Sequence, residues 1–289
     1  MHLGDLGELR QSREQAVIIN VGTRLPTTLA LLSALRHAGM PVLLVDCESK
    51  DDSLAWFTRL MATHDFDLLC APLKPHGRTL DWLFANVRAE QLLLVDSDVE
   101  LLGPDALAFM RQFIDDHRTF GAGFVDEAGF LVNERGFLHN AYYHERPWIP
   151  LSLFKVSMVR EALAHGCSFA DKVVFNDVAG GLLTRVARRA RESLPALERL
   201  GVRVPAALRT AYNGWRPELV YYDTGAEVYE HLKFQRERYY VGIPAHFAPR
   251  YVTHFSGVSR NVVQGGGTPL DVIAATIAER LRVGYAVEL

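Results

Sequence analysis

A chain of 289 residues is long enough for one large α/β domain with a substantial core, and its 49% hydrophobic and 22% charged residues are ordinary for a globular protein. With 31 basic against 34 acidic residues the net charge is −3, which excludes nucleic-acid binding by bulk electrostatics. Cys47, Cys70 and Cys167 lie far apart, form no Cys-x-x-Cys pair, and are expected to be reduced thiols in a reducing, cytoplasmic setting. The first residues carry no apolar core of signal-peptide length, and no later segment approaches the roughly 18 uninterrupted apolar residues of a membrane span.

The first strand is expected at Ala16 to Val21, a β-branched run ending in Gly22-Thr23-Arg24. Thr27 or Thr28 can cap a helix whose Leu29, Leu32 and Leu35 share a face, and Gly39-Met40-Pro41 stops it. A second strand, Val42 to Val45, ends on Asp46. A third, Leu68 to Ala71, leads past Lys74 to Arg78 and a helix over Leu80 to Val87. Gln91-Leu92-Leu93-Leu94-Val95 is an apolar run of the kind buried on both faces of a parallel sheet, and it ends in Asp96-Ser97-Asp98. After Gly103-Pro104 a helix with Leu107, Met110, Phe113 and Ile114 inward is expected to run to about His117, and Phe120 to Val125 is a further strand. Strands alternating with helices predict a parallel sheet built of right-handed crossovers.

The second half has a different texture. His139 to Trp148 is dense in aromatic and polar residues. Leu151 to Val156 predicts a strand before a short helix with Val159 and Leu163, and Val178 to Arg199 a helix broken near Pro195. The cluster Arg185, Arg188, Arg189 and Arg191 is simplest as a solvated helical face. Trp215 and the run Val220 to Tyr222 lead to Asp223-Thr224-Gly225, and a helix follows through Leu232 and Phe234. Tyr251 to Gly257 precedes Gly265-Gly266-Gly267 and an amphipathic C-terminal helix with Val272, Ile273, Ile277 and Leu281. No repeat or linker divides the chain, so residues 1–289 are expected to form a single domain.

Asn20, Thr23, Asp46, Lys74, Arg78, Asp96 and Asp98 all follow strands, and loops leaving the C-terminal edge of an open α/β sheet form its ligand crevice. Asp96 and Asp98, two residues apart in a turn, can reach one hard divalent cation, which prefers oxygen and also holds diphosphate oxygens. The competing reading is a solvated turn in which Asp98 caps the next helix. No Gly-x-Gly-x-x-Gly follows the first strand and no Gly-x-x-x-x-Gly-Lys-Ser/Thr occurs, so the usual backbone phosphate cradles are missing. Phosphate is then left to metal and side chains.

The strand ending in Asp96-Ser97-Asp98, the first strand with Asn20-Val21-Gly22-Thr23, Asp46 closing the second strand and the late Thr253-His254-Phe255 together resemble a GT-A-fold glycosyltransferase. The resemblance implies an open, mostly parallel, Rossmann-like sheet flanked by helices. Residues of about 16–125 would be the nucleotide-sugar-binding half, and those of about 126–289 an acceptor half with a C-terminal lid and helix. It implies a nucleoside-diphosphate sugar donor, a UDP-sugar favoured, and Mn2+ or Mg2+ held by Asp98, Asp96 and His254, with Asp96 touching ribose or metal. Asn20, Gly22, Thr23 and Ser97 would lie near the nucleotide, Asp46 at its base or ribose, and Arg78 or Arg260 at the diphosphate, with Lys74 a further cation. Asp223 is the leading general base for an inverting reaction, with Asp177 behind it, although Tyr-Asp stands where the family has Glu-Asp. Asp223 can equally be a helix N-cap. Neither acceptor nor oligomeric state can be read from the sequence.

Two other classes compete. A nucleotidyltransferase making a nucleotide-sugar would show a Gly-rich basic loop after the first strand, where Gly22-Thr23-Arg24-Leu25-Pro26 is lean. A catalytically dead sugar- or nucleotide-binding module would not need both aspartates and the histidine. The glycines of residues 265–267 and the polar residues from Ser256 to Asn261 predict a mobile lid rooted at His254.

Overall fold

The computed structural model describes residues 2–3, 12–127, 129–131, 141–143, 145–176, 218–258 and 269–287. The expected apolar runs form the centre of a mixed sheet. Its strands are β1 (His2–Leu3), β2 (Glu14–Asn20), β3 (Val42–Cys47), β4 (Asp67–Ala71), β5 (Gln91–Val95), β7 (Thr119–Asp126), β10 (Arg146–Lys155) and β13 (Tyr239–Pro244), in the order β1-β4-β3-β2-β5-β10-β7-β13. All neighbours run parallel except at β10, which lies antiparallel to both β5 and β7. The sheet is thus mostly parallel, as expected, with one reversed strand. That reversal brings the start of β10, Arg146, to the edge where β5 and β7 end.

Alternation along the strands feeds two cores. Ala16, Ile18, Leu44, Leu93 and Val95 face α1 (Arg24–His37), α4 (Asp105–Ile114) and α7 (Leu270–Tyr285), which contribute Leu31, Met110 and Leu281. Val17, Leu43, Val45, Leu92 and Leu94 face α3 (His76–Asn86), α5 (Val156–Ala164) and α6 (Ala226–Glu230), which contribute Phe84, Val159 and Tyr229. With both faces covered, the parallel strands read as unbroken apolar runs. At about 25 cal/mol per Å² of apolar surface, each fully buried Leu or Phe contributes roughly 2 kcal/mol.

Several local expectations shift. Helix α1 begins at Arg24, with Thr23 as the residue before it, so Thr27 and Thr28 lie inside the helix and are fully buried. Thr28 Oγ1 instead donates to the carbonyl of Arg24 at 2.7 Å and accepts the Trp56 indole N–H at 2.9 Å. Helix α3 starts at His76, four residues before the expected Leu80. Helix α4 stops at Ile114 and not near His117. Elements that no sequence expectation covered include β1, α2 (Ser53–Leu60), β6 (Val99–Leu101) and β13. β6 pairs antiparallel with β14 (Val252–His254) as a two-stranded sheet. A four-stranded sheet joins β11 (Lys172–Asn176), β12 (Glu218–Tyr222), β9 (Ala141–Tyr143) and β8 (Gly129–Leu131). No described helix is long and apolar enough to cross a membrane. The expected helix at residues 178–199, with its arginine cluster, lies outside the described residues, as do Asp177, Trp215, Arg260 and the glycines of residues 265–267.

Candidate functional site

Parallel pairing aligns the strand ends. Asn20 sits opposite Asp46 across β2 and β3, while Ile18 sits opposite Val95 across β2 and β5, so Asn20, Asp46 and the Asp96 turn share the C-terminal edge. The turn is tight: Val99 N–H donates to the carbonyl of Asp96 at 3.1 Å, and Asp96 N–H donates to that of Pro150 at 3.0 Å. From there β6 runs back beneath β14, with His254 opposite Val99, and Phe255 N–H donates to the carbonyl of Asp98 at 2.8 Å. Two short strands, more than 150 positions apart in the chain, thus bring His254 onto the aspartate turn. Helix α7 braces them, since Arg280 ion-pairs with Glu100 and donates to Thr253 Oγ1 at 3.3 Å. The reading of Asp98 as an N-cap fails, because a strand follows it.

Asp96, Asp98 and His254 each offer a ligand atom, and these atoms lie within 4.8 Å of one another. His254 Nε2 is 3.3 Å from Asp98 Oδ1. That long contact aside, Asp98 Oδ1, on a residue only 4% exposed, has no hydrogen-bond partner among the described residues. A buried carboxylate oxygen without a donor costs several kcal/mol unless a cation joins it, so the donor set fits a divalent ion. Burial, then the charge of Asp98, pushes the Asp96 carboxyl above its ordinary range. Burial works to lower the His254 imidazole, but Asp98, Asp96 and Asp126 together push it up. Both directions are those of carboxylates held close together. The Trp148 ring meets His254 edge-on at 5.3 Å between centroids and fixes its plane.

The other expected residues divide. Asn20 is fully buried: its Nδ2 donates to Asp46 Oδ1 at 2.7 Å and Ser49 Oγ at 2.8 Å, and its Oδ1 accepts from Thr23 N–H at 3.1 Å and Thr27 Oγ1 at 2.9 Å. Asp46, 2% exposed, also takes the N–H and hydroxyl of Ser49. Asn20, Thr23 and Asp46 therefore hold the loops at the edge and spend their polar atoms on each other. Contact between these side chains and a nucleotide would require that network to open. Gly22 takes a left-handed φ of 92°, which turns the chain from β2 into α1. Ser97 is buried within the turn. Arg78 stands largely exposed, 3.3 Å from Asp81, one turn into α3. Helix α3 is docked so closely that a Cβ on Gly77 would come 2.4 Å from the Phe169 carbonyl oxygen. Its first residue, His76, lies near enough to Asp96 to lower that carboxyl's affinity for a proton.

Asp223 closes β12 in a turn whose Gly225 precedes α6, and its Oδ1 accepts the N–H of Thr224 at 2.7 Å. Its Oδ2 lies 3.0 Å from Arg146 Nη2, and the same nitrogen lies 2.8 Å from Asp126 Oδ2. Sequence reasoning missed Asp126, Arg146 and His76. The only signal for Asp126 was its place after an apolar strand, Phe120 to Val125. Of the expected lid, Ser256 to Val258 are described: Val258 is fully buried, so this part is anchored, and residues 259–268 lie outside the described set. A shallow cavity of about 550 Å³ lined by Leu35, Met40, His64 and Phe66 lies at the opposite edge, away from these groups.

No family model and no curated protein matches the chain. Among solved structures, S. aureus TarS in complex with UDP aligns at 13% identity and TM-score 0.38 over 52% of this chain and 48% of that one. The match thus spans about half the length of that chain, TarS residues 1–349. The mannosyltransferase PcManGT from Pyrobaculum calidifontis, in complex with GDP-Man and Mn2+, aligns at 14% identity and TM-score 0.41 over 98% of this chain and 84% of that one. A 4-diphosphocytidyl-2C-methyl-D-erythritol synthase from Anaerococcus prevotii aligns at 8% identity and TM-score 0.38 over 53% and 74%.

Proposed function

We propose that the protein is a metal-dependent glycosyltransferase of GT-A type that moves a sugar from a nucleoside-diphosphate donor, a UDP-sugar favoured, to an acceptor nucleophile. The observation that carries this reading is the Asp96, Asp98 and His254 cluster on the ligand-binding edge of the sheet, with one buried carboxylate oxygen lacking a donor. In it Asp98 and His254 hold Mn2+ or Mg2+, and Asp96 completes the set or meets the ribose. The bound cation supplies charge neutralisation of the diphosphate as it leaves. Asn20, Thr23 and Asp46 keep the loops around the nucleotide in place, with Gly22 and Ser97 shaping the two turns. Arg78 and Arg260 serve the diphosphate. Asp223 takes the acceptor proton, and the chain acts as one unit with residues 16–125 as its donor half.

The test is incubation of the protein with UDP-glucose, UDP-N-acetylglucosamine and GDP-mannose, with Mn2+ and with EDTA, following release of free sugar to water. Metal-dependent release of a nucleoside diphosphate supports the reading. Pyrophosphate-dependent formation of a nucleoside triphosphate would replace it with a nucleotidyltransferase. Binding without turnover would leave a dead module.

A further inference from the structure

Arg146 acts electrostatically on Asp96 of the metal cluster, and its surroundings are unusual. Its side chain is 14% exposed, and a single terminal nitrogen serves two carboxylates from two different sheets. Asp126 is its cross-strand partner, the last residue of β7 opposite the first of β10. Asp223 belongs to the turn after β12, a strand of the separate four-stranded sheet. The guanidinium is thus anchored on one side to the rigid main sheet and reaches out to the residue that closes the smaller one. A second tie runs alongside: Glu145, the preceding residue, ion-pairs at 2.6 Å with Lys233 just past α6, and Lys233 also donates to the Tyr229 hydroxyl at 2.9 Å. Asp126 in turn acts electrostatically on both Asp223 and His254.

We infer that Arg146, held by Asp126, is the positioning residue that sets the Asp223 carboxylate against the metal cluster, and that transfer depends on this bridge. This rests on the proposed glycosyltransferase reading. Three geometric facts lead to it. Nη2 carries two N–H groups, and two carboxylates lie within 3.0 Å of it, so the nitrogen can donate one N–H to each. Asp223 Oδ1 accepts the Thr224 N–H, while Arg146 contacts Oδ2, so the two oxygens are held from different sides. Removing the guanidinium would leave two half-buried carboxylates facing each other, and repulsion would swing the one on the turn and not the one in the ladder. A displacement of about 1 Å in a catalytic group can cost about 10²-fold in rate.

The test uses the full-length protein and Arg146→Ala and Arg146→Lys variants. Calorimetry measures UDP binding with Mn2+, and donor hydrolysis is followed with the three nucleotide-sugars named above. In Arg146→Ala, kcat should fall about 10²-fold while KM for donor and the UDP–Mn2+ affinity stay within about threefold. Guanidinium chloride at low millimolar concentration should restore part of the lost kcat, and Arg146→Lys should retain more activity than Arg146→Ala, since an ammonium keeps a positive charge and N–H donors for the carboxylates without the rigid fork of the guanidinium. Unchanged kcat would overturn the inference. So would a loss that guanidinium does not rescue, or one matched by lost UDP–Mn2+ binding or a lowered unfolding temperature, because each marks a purely structural role. If the wild-type protein neither binds UDP with Mn2+ nor hydrolyses any donor, the glycosyltransferase reading has failed instead.

Discussion

Two polar clusters sit a few residues apart on the same edge of the sheet and are built on opposite principles. In the Asn20, Thr23, Asp46 and Ser49 cluster the side-chain amide and carboxylate oxygens all have donors, and the residues at its centre are closed to solvent. In the Asp96, Asp98 and His254 cluster, equally buried at Asp98, a carboxylate oxygen has no donor among the described residues and both neighbours crowd it. Buried polar groups are satisfied as a rule, so the first cluster is explained by the fold, and the second supports the proposed cation. A polar residue at a strand end is thus not evidence of a ligand contact. An unmet hydrogen-bonding demand is.

The sharpest way to break this contrast is Asp98→Asn, which keeps shape and removes the charge that holds a hard cation. Metal-dependent donor hydrolysis should fall by about 10³-fold or more, while the unfolding temperature without metal does not drop, because one of two crowded, buried carboxylate charges has been removed. Full activity, or a collapsed fold, would place Asp98 with the satisfied cluster. Next in size, Asp223→Asn should lower kcat about 10²-fold with UDP–Mn2+ affinity near normal. Normal rates would make it a turn residue that accepts from Thr224 and pairs with Arg146 for structure alone.

Asn20→Ala should act in the opposite currency. It leaves Thr23 N–H without its acceptor and takes one donor from the Asp46 carboxylate, which keeps Ser49, and should cost about 3 kcal/mol in chemical denaturation, with Mn2+ affinity of the remaining folded protein within about threefold. A selective loss of nucleotide binding at unchanged stability would return Asn20 to the ligand. Smallest of all, Ser49→Ala removes one hydroxyl donor from Asp46 and should cost about 1 kcal/mol with no effect on donor KM. A raised KM would show that the loop touches nucleotide.

The same contrast explains what the sequence could and could not tell. Apolar runs such as Leu92 to Val95 announce buried strands, and the carboxylates that end them mark the edge. The pairing of His254 with Val99 depends on β6 and β14, each of three residues, too short to carry a period of their own. Asp126 and Arg146 meet only because β10 runs against its neighbours, and a run with the same apolar composition reads identically in either direction. Asn20 and Asp46 looked like ligand residues because position at an edge is legible in a sequence, whereas satisfaction by Ser49, Thr23 and Thr27 is a property of three dimensions. Helix α2 follows the charged stretch from Glu48 to Asp52, and its eight residues gave too short a pattern to stand out.

Electron paramagnetic resonance of Mn2+, titrated into the protein with UDP present, tests the central claim most directly, because only free hexaquo Mn2+ gives the sharp six-line signal. The account predicts that the wild-type chain removes that signal at one ion per chain, that Asp98→Asn and His254→Ala both leave it intact, and that Ser49→Ala behaves as wild type. Equal uptake by wild type and Asp98→Asn would contradict it.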